Sequence, residues 1–382
     1  MHRPATALAL IALPAALSAQ FRVDPAPLLT VPATTDAGDL RFATAAWATR
    51  LSSGEIAVAD FAGSSVRILG SDGALKRTLG RSGAGPGEYR LPVWVGRCNA
   101  DSLYVWDASA RLTAYSAAAT AAESSATRTV TEGANSLVAA CSPAGSVALV
   151  SGMQPRRDLP PVLSGESRNG GQYNVVQMSA ALVAVDGQGP VRRVRESISQ
   201  GQWVLGRLSP QGGMGGVPRP LAPTMVFTYA GATLIVADGA SGEVTGYAPG
   251  GSTALSFSAA SAPRRPTAAD YARAVGSAVA IAPSQIREAA SDFLRGIPLP
   301  EQMPHFWRVL ADPSGLLWFV VSPDGAAETQ FRVYAASGAL VGELRVEGGF
   351  VPFEVGADYL LGKRENADGE DEIVLLRLTR TR

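Results

Sequence analysis

The chain has 382 residues, 46% of them hydrophobic and 17% charged, and its 33 basic residues are matched by 33 acidic ones. That length can bury a large core, and the charge balance removes the electrostatic footprint of a nucleic-acid-binding protein. After the N-terminal segment no run approaches the roughly 18 apolar residues a membrane helix requires, so no membrane span is expected.

The chain opens with MHRPATALALIALPAALSAQ. A basic start, an apolar stretch of about a dozen residues and a small-residue end near Ala16, Ser18 and Ala19 predict a signal peptide over residues 1–19. No cysteine follows the apolar stretch, so a lipoprotein anchor is not expected. Residues 20–382 would then form one domain in the periplasm or secreted beyond it. Only Cys98 and Cys141 are present, and an even count in an exported chain permits a disulfide between them. Two separate buried thiols are the alternative.

From residue 40 onward a pattern repeats. Alternating apolar runs occur as EIAVAD (55–60), SLYVWD (102–107), SVALVS (146–151), TLIVAD (233–238), LLWFVV (316–321) and DYLLGK (358–363). Most follow a turn, and the earlier apolar runs are 42–49, 92–98, 136–141, 224–229, 305–310 and 350–355. Period-2 alternation bounded by Gly, Asp, Ser or Pro predicts short half-buried strands. Strand pairs recurring roughly every 40–50 residues predict an all-β chain, a six-bladed β-propeller whose earlier runs are the innermost strands around a central channel. The sixth unit ends at Arg382 without a fourth strand, and the stretch around Pro27–Val31 is expected to supply it, closing the ring and removing exposed sheet edges.

Three segments interrupt the repeat: 151–175, 199–220 and 261–304. The third predicts a small helical insertion between blades four and five. Thr267 and Asp270 form a capping box, Ser284 caps a second helix, and Gly296 and Pro298 stop it. Tyr271, Val275, Ala278 and Val279 share one face of the first helix; Ile286, Ala290, Phe293 and Leu294 share one face of the second. Strand direction alternates within a blade, so residues 80–91 and all three segments are expected on one face. Long connections concentrated there make it the expected binding surface.

The connector G-x-x-G-x-G-P-G-E-Y, carried by Gly80, Gly83, Gly85, Pro86, Gly87, Glu88 and Tyr89, occurs with Asp60 and Asp107 at the ends of alternating runs. Together they resemble the six-bladed NHL-like propellers of exported bacterial proteins. The resemblance implies a six-bladed ring. The roles it implies are diverse, from protein binding to lyase and lactonase chemistry, so it does not choose a function.

The mature chain contains a single histidine, His305. A Ser-His-Asp mechanism would have to run through it, and a histidine- or cysteine-based zinc site has too few ligands. His305 is the candidate catalytic residue, placed by the repeat at the start of the fifth inner strand; a hydrogen-bonded structural histidine is the plainer reading. The calcium-dependent lactonases of this architecture use carboxylates and Asn around the channel, whereas here the inner strands offer chiefly Thr44, Asn135, Ser136, Arg308 and Glu354. One carboxylate and one amide do not make a calcium cage. The acidic run 365–372 lacks EF-hand spacing and reads as a solvated hairpin. No metal or cofactor is expected.

GRSGAGPGEY lacks the Lys-Ser/Thr of a phosphate loop and leads into a strand, so it reads as a tight inter-blade connector. It would deliver Glu88, Tyr89 and Arg90 to the channel mouth, with Arg219, His305 and Trp307 facing the same opening. Arginines beside aromatics suit an anionic or peptide ligand. Cys98 and Cys141 both end inner strands of neighbouring blades, among the few places where residues so far apart come within the roughly 7 Å a disulfide allows. The function expected is a binding or scaffold module for a protein, peptide or small-molecule ligand on the loop-bearing face. The alternative is a lyase or hydrolase acting at the channel mouth through His305 and Arg90.

Overall fold

The computed structural model describes residues 20–381 except 36, 100–101, 117–125, 134–135, 137–138, 167–170, 187–188, 208–213, 281–283 and 325. The expected signal peptide and Asn135 lie outside the described residues. Those described are mostly β, in antiparallel sheets arranged like a propeller.

The first sheet runs Ala45–Arg50, Ile56–Asp60, Ser65–Leu69, Leu75–Leu79, and the second Pro92–Asn99, Ser102–Asp107, Arg111–Ser116, Ala126–Thr129. The third starts at Ala139–Cys141 and Ser146–Pro155 and continues into two long strands, Gln172–Asp186 and Val191–Arg207. Four-stranded sheets follow from Met225–Ala230 and from Arg308–Ala311. The last sheet comprises Val351–Val355, Tyr359–Glu365 and Asp371–Thr381, and the N-terminal strands Gln20–Val23 and Leu29–Pro32 both pair antiparallel with Asp371–Thr381. The first strands of consecutive sheets touch one another in sequence, and Val351–Val355 returns to touch Ala45–Arg50.

Side-chain alternation explains this arrangement. Ile56 and Val58 pack with Leu361 and Ile373 of the last sheet, whereas Ala57 and Ala59 pack with Val95 and Val105 of the second. Equivalent apolar layers join second to third (Trp106 with Val147), third to fourth (Leu182 with Phe227), fourth to fifth (Ile235 with Phe319) and fifth to last (Trp318 with Leu360). Each sheet is therefore sandwiched, and every residue of Ile56–Asp60 is buried rather than half-buried as the alternation predicts. Each large aliphatic side chain so enclosed contributes roughly 1.5–3 kcal/mol.

The aspartates ending the second strands act as backbone staples. Asp60, fully buried, accepts from the amides of Ala43, Thr44 and Gly63 at 2.9–3.1 Å and from Arg67 Nε at 3.2 Å. Asp107 accepts from the amides of Arg90, Ser109 and Arg111 and from the Arg111 guanidinium at 2.8 Å. In both sheets the carboxylate fixes the chain as it enters the inner strand, with a paired arginine compensating its buried charge.

The interrupting segments at 151–175 and 199–220 are not irregular loops. The third sheet's strands extend past the other sheets as an arm, in which Tyr173 to Gln177 pair with Gln202 to Gly206 and are flanked by Leu163–Glu166 and Met214–Pro218. Tyr173, Val175 and Val204 on one face of this arm need a cover, supplied by α1 (Ala268–Ala280) and α2 (Ser284–Arg295) through Tyr271, Val275, Ala290 and Phe293. Thr267 and Asp270 cap α1 reciprocally: the Asp270 amide donates to Thr267 Oγ1, and the Thr267 amide to Asp270 Oδ2.

Candidate functional site

Among the described residues the first strand of each sheet is an edge strand, pairing with its own sheet on one side only, and the six first strands adjoin one another around a common axis. A cavity of about 490 Å³ lies there, lined from all six of these strands. That volume falls in the range of small-molecule sites, roughly 300–1,000 Å³. Its apolar wall includes Trp47, Trp94, Met225, Phe227, Trp307 and Phe353; its polar side chains include Thr49, Arg97, Gln200, Tyr229, Arg308 and Glu354.

The aromatic wall is built by local constraints. Trp47 packs against Phe353 with ring centres 5.3 Å apart, and the Arg308 guanidinium lies 5.2 Å from the Trp47 ring centre. Arg308 is held from behind by Asp324 at 3.1 Å and the Pro352 carbonyl at 3.2 Å. The Trp94 ring lies over Gly96, where a Cβ would come within 2.2 Å of an indole carbon. Only glycine permits that ring to lie along its own strand.

Glu354, which lines the cavity with Thr49, anchors a polar cluster. One carboxylate oxygen accepts from the Tyr359 hydroxyl; the other accepts from the Thr49 hydroxyl and from the Arg50 amide at 3.1 Å. Burial, then the Glu354 charge, pushes the Tyr359 phenol well above its ordinary value, against the opposing pull of Arg50 and Arg97. Burial also pushes Tyr229 up to about 12. Both phenols remain protonated donors across the physiological range.

The residues singled out from the sequence do not converge here. Glu88 closes its own connector, accepting from the Gly85 amide at 2.8 Å and from Arg81 Nε at 2.9 Å; these bonds, the Gly85 amide first, hold its carboxyl below the usual range. Tyr89 is fully buried instead of facing the mouth, its hydroxyl bonded to that of Tyr115. Gly80, with φ of 72°, leaves room for that ring, since a Cβ there would lie 2.3 Å from it. Arg90 has an exposed side chain at the far end of the connector, with its amide on Asp107. Arg219 is 5% exposed and donates to Gln202 Oε1 and the Pro298 carbonyl, both at 2.6 Å. It ties the arm to the chain leaving α2, and burial lowers its pKa.

His305 precedes the fifth inner strand by three residues and lies in a different, charged cleft of about 380 Å³, shared with Asp270, Arg273, Gln330 and Arg345. Its Nδ1 accepts from the Ser261 amide at 3.0 Å, which leaves the proton on Nε2 and occupies the lone pair a general base would use. Of the residues expected at the channel mouth, Trp307 alone lines the central cavity; Arg308 and Glu354, expected on inner strands, line it too. Among the described residues, no group of three or more His, Cys, Asp or Glu side chains is arranged to hold a metal ion. Cys98 and Cys141 are bridged in the structure with Cα atoms 5.2 Å apart, and Cys141 borders the cavity.

Trp47, Trp94, Arg97 and Met225 went unselected although each sits in an apolar run assigned to an inner strand. Their position in those runs was the available signal. Gln200 reaches the cavity from the long strand of the arm, and no repeat pattern marks it.

No known family profile matches the chain, and no curated protein matches it in sequence. Among solved structures it is similar to a member of the DUF4221 family from Bacteroides vulgatus, at 13% identity and TM-score 0.53, over 96% of this chain and 99% of that one. This likeness concerns the fold. More distant are a putative exported protein from Bacteroides fragilis, at 12% identity and TM-score 0.43 over 95% and 96% of the two chains, and virginiamycin B lyase from Staphylococcus aureus, at 10% and 0.40 over 94% and 99%. No helix among the described residues is long and apolar enough to cross a membrane.

Proposed function

We propose that the chain is an exported six-bladed β-propeller, with α1 and α2 as an insertion between blades four and five, and that it is a binding module taking a ligand into its central channel. The observation that carries this reading is the cavity of about 490 Å³ to which all six inner strands contribute, walled by Trp47, Trp94, Trp307 and Phe353. A concave site that combines apolar walls with directed polar groups suits ligand recognition. The arm and helices of the loop-bearing face adjoin it, because Trp307 packs against their core while lining the channel.

The lyase or hydrolase alternative requires His305, an arginine and a carboxylate around one substrate. His305 has its Nδ1 lone pair engaged and lies in the other cleft, Arg219 is enclosed beneath the helical segment, and Glu354 is saturated by three donors. The non-catalytic reading is therefore the better supported.

The test uses the fluorescent apolar probe N-phenyl-1-naphthylamine on protein lacking residues 1–19. Saturable binding is expected, lost when the cavity-lining Thr228 is enlarged in Thr228→Trp and retained in His305→Ala. Binding unchanged in a folded Thr228→Trp protein would move the site elsewhere.

A further inference from the structure

The channel is chemically two-ended. Trp47, Trp94 and Met225 sit in the leading parts of their inner strands, and Trp307 immediately precedes its own. Arg50 is the last residue of the first inner strand, and Arg97 and Glu354 lie near the ends of theirs. Three tryptophans and Met225 thus come early along the inner strands and Arg50, Arg97 and Glu354 late, while Arg308, first in its strand, has its charge met by Asp324.

The ionic end carries excess positive charge. Glu354 is its carboxylate, already accepting from Tyr359, Thr49 and the Arg50 amide. Two guanidiniums stand close by: Arg50 lies over the Tyr359 ring at 4.8 Å, and Arg97 is near enough to act electrostatically on the same phenol. Neither forms an ion pair among the described residues, unlike Arg308, whose charge is met by Asp324. Arg50 Nε is buried without a hydrogen-bond partner, an arrangement that ordinarily costs stability. Arg97 is exposed within the cavity, and no protein group accepts from its guanidinium among the described residues.

A guanidinium without a counter-charge, in a cavity that also presents the half-buried Trp47 and Trp307, selects a ligand with matching ends. We infer that the channel recognises an organic anion: a flat apolar body lies against Trp47 and Trp307, and a carboxylate, sulfonate or phosphate group is received by Arg97. This rests on the channel-binding reading above and narrows it to a ligand class. Arginine suits the role because its planar fork meets two oxygens of such a group at once. Glu354 holds Tyr359 and Thr49 in place and repels a second carboxylate, so the site favours a single anionic group at one end of the ligand.

The experiment compares two probes sharing one aromatic body, 8-anilino-1-naphthalenesulfonate and its uncharged counterpart N-phenyl-1-naphthylamine. On the wild-type protein the sulfonate is expected to bind roughly tenfold more tightly, as a charge-assisted hydrogen-bonded pair gives. In Arg97→Gln the ratio of affinities should fall toward one, and in Arg97→Glu it should invert. Arg81→Gln, an exposed arginine on the connector, should leave the ratio unchanged. Thr228→Trp should remove both probes. A ratio near one in the wild type, or one unaltered by both Arg97 variants, overturns the anion assignment while the channel site stands, provided Thr228→Trp still abolishes binding. If Thr228→Trp folds and alters neither probe, the channel reading falls and the assignment falls with it.

Discussion

The Arg308 guanidinium lies 5.2 Å from the centre of the Trp47 ring, so the fifth inner strand is joined to the first within the wall of the channel. Trp47 also packs at the margins of four of the apolar layers between sheets. Trp47→Ala should therefore lower stability by about 3 kcal/mol, the scale of a large-to-small change in a packed site. Urea denaturation measures it. A loss no larger than that of a surface substitution would mean that the ring tolerates a gap at its axis.

Closure depends on the N-terminal strands. Phe21 packs beside Trp318 with ring centres 4.7 Å apart, and Val31 is buried against Ile373 and Leu375. Deleting residues 20–34 removes both and leaves one edge of Asp371–Thr381 unpaired. A lower melting temperature and concentration-dependent aggregation are expected, by calorimetry and light scattering. An unchanged melting profile would contradict this role.

Much of the fold was legible because strand burial writes itself into alternation. EIAVAD and SLYVWD mark second strands because their inner residues are enclosed, and the Asp that ends each is a staple that needs a carboxylate at that point. The arm was misread as loops because QYNVVQMSAALVAVD has no terminator where the blade ends and the arm begins; tertiary pairing, not local sequence, decides how far a strand runs. The consequence is concrete. Excising 267–296 would uncover Tyr173, Val175 and Val204, so it would destabilise the arm as well as alter the face. The site was less legible than the fold. Arg219 and Tyr89 look like binding residues by type, yet their burial answers local needs, and burial depends on contacts distant in sequence.

The bridge between Cys98 and Cys141 spans 43 residues. In the chain-entropy account, closing a loop of that size stabilises by about 4 kcal/mol. Replacing both residues with Ser should lower stability accordingly. Mass spectrometry of unreduced, alkylated protein from exported material should yield a linked Cys98–Cys141 peptide, and recovery of two alkylated cysteines would refute the bridge.

The Asp270 cap gives a pH dependence of defined sign. Burial works to raise its pKa, but the bonds from Thr267 and the charges of Arg264 and Arg273 outweigh it, leaving the carboxyl below its ordinary 3.8. A depressed folded pKa contributes stability above the unfolded value and loses it as pH falls through the folded one. Asp270→Asn should cost about 1 kcal/mol near neutrality. The gap from wild type should close below about pH 4, near the ordinary carboxylate pKa. Amide exchange in α1 reports it, and a gap constant down to strongly acidic pH would show that the charge is not what caps the helix.

The position of a bound organic anion tests the channel most directly. Crystals of the protein lacking residues 1–19, soaked in 4-bromobenzoate, locate the bromine by anomalous scattering. We predict one dominant peak in the channel beside Trp47 and Trp307, with the carboxylate on Arg97. A dominant peak in the cleft beside His305, with the channel holding only solvent, would contradict it.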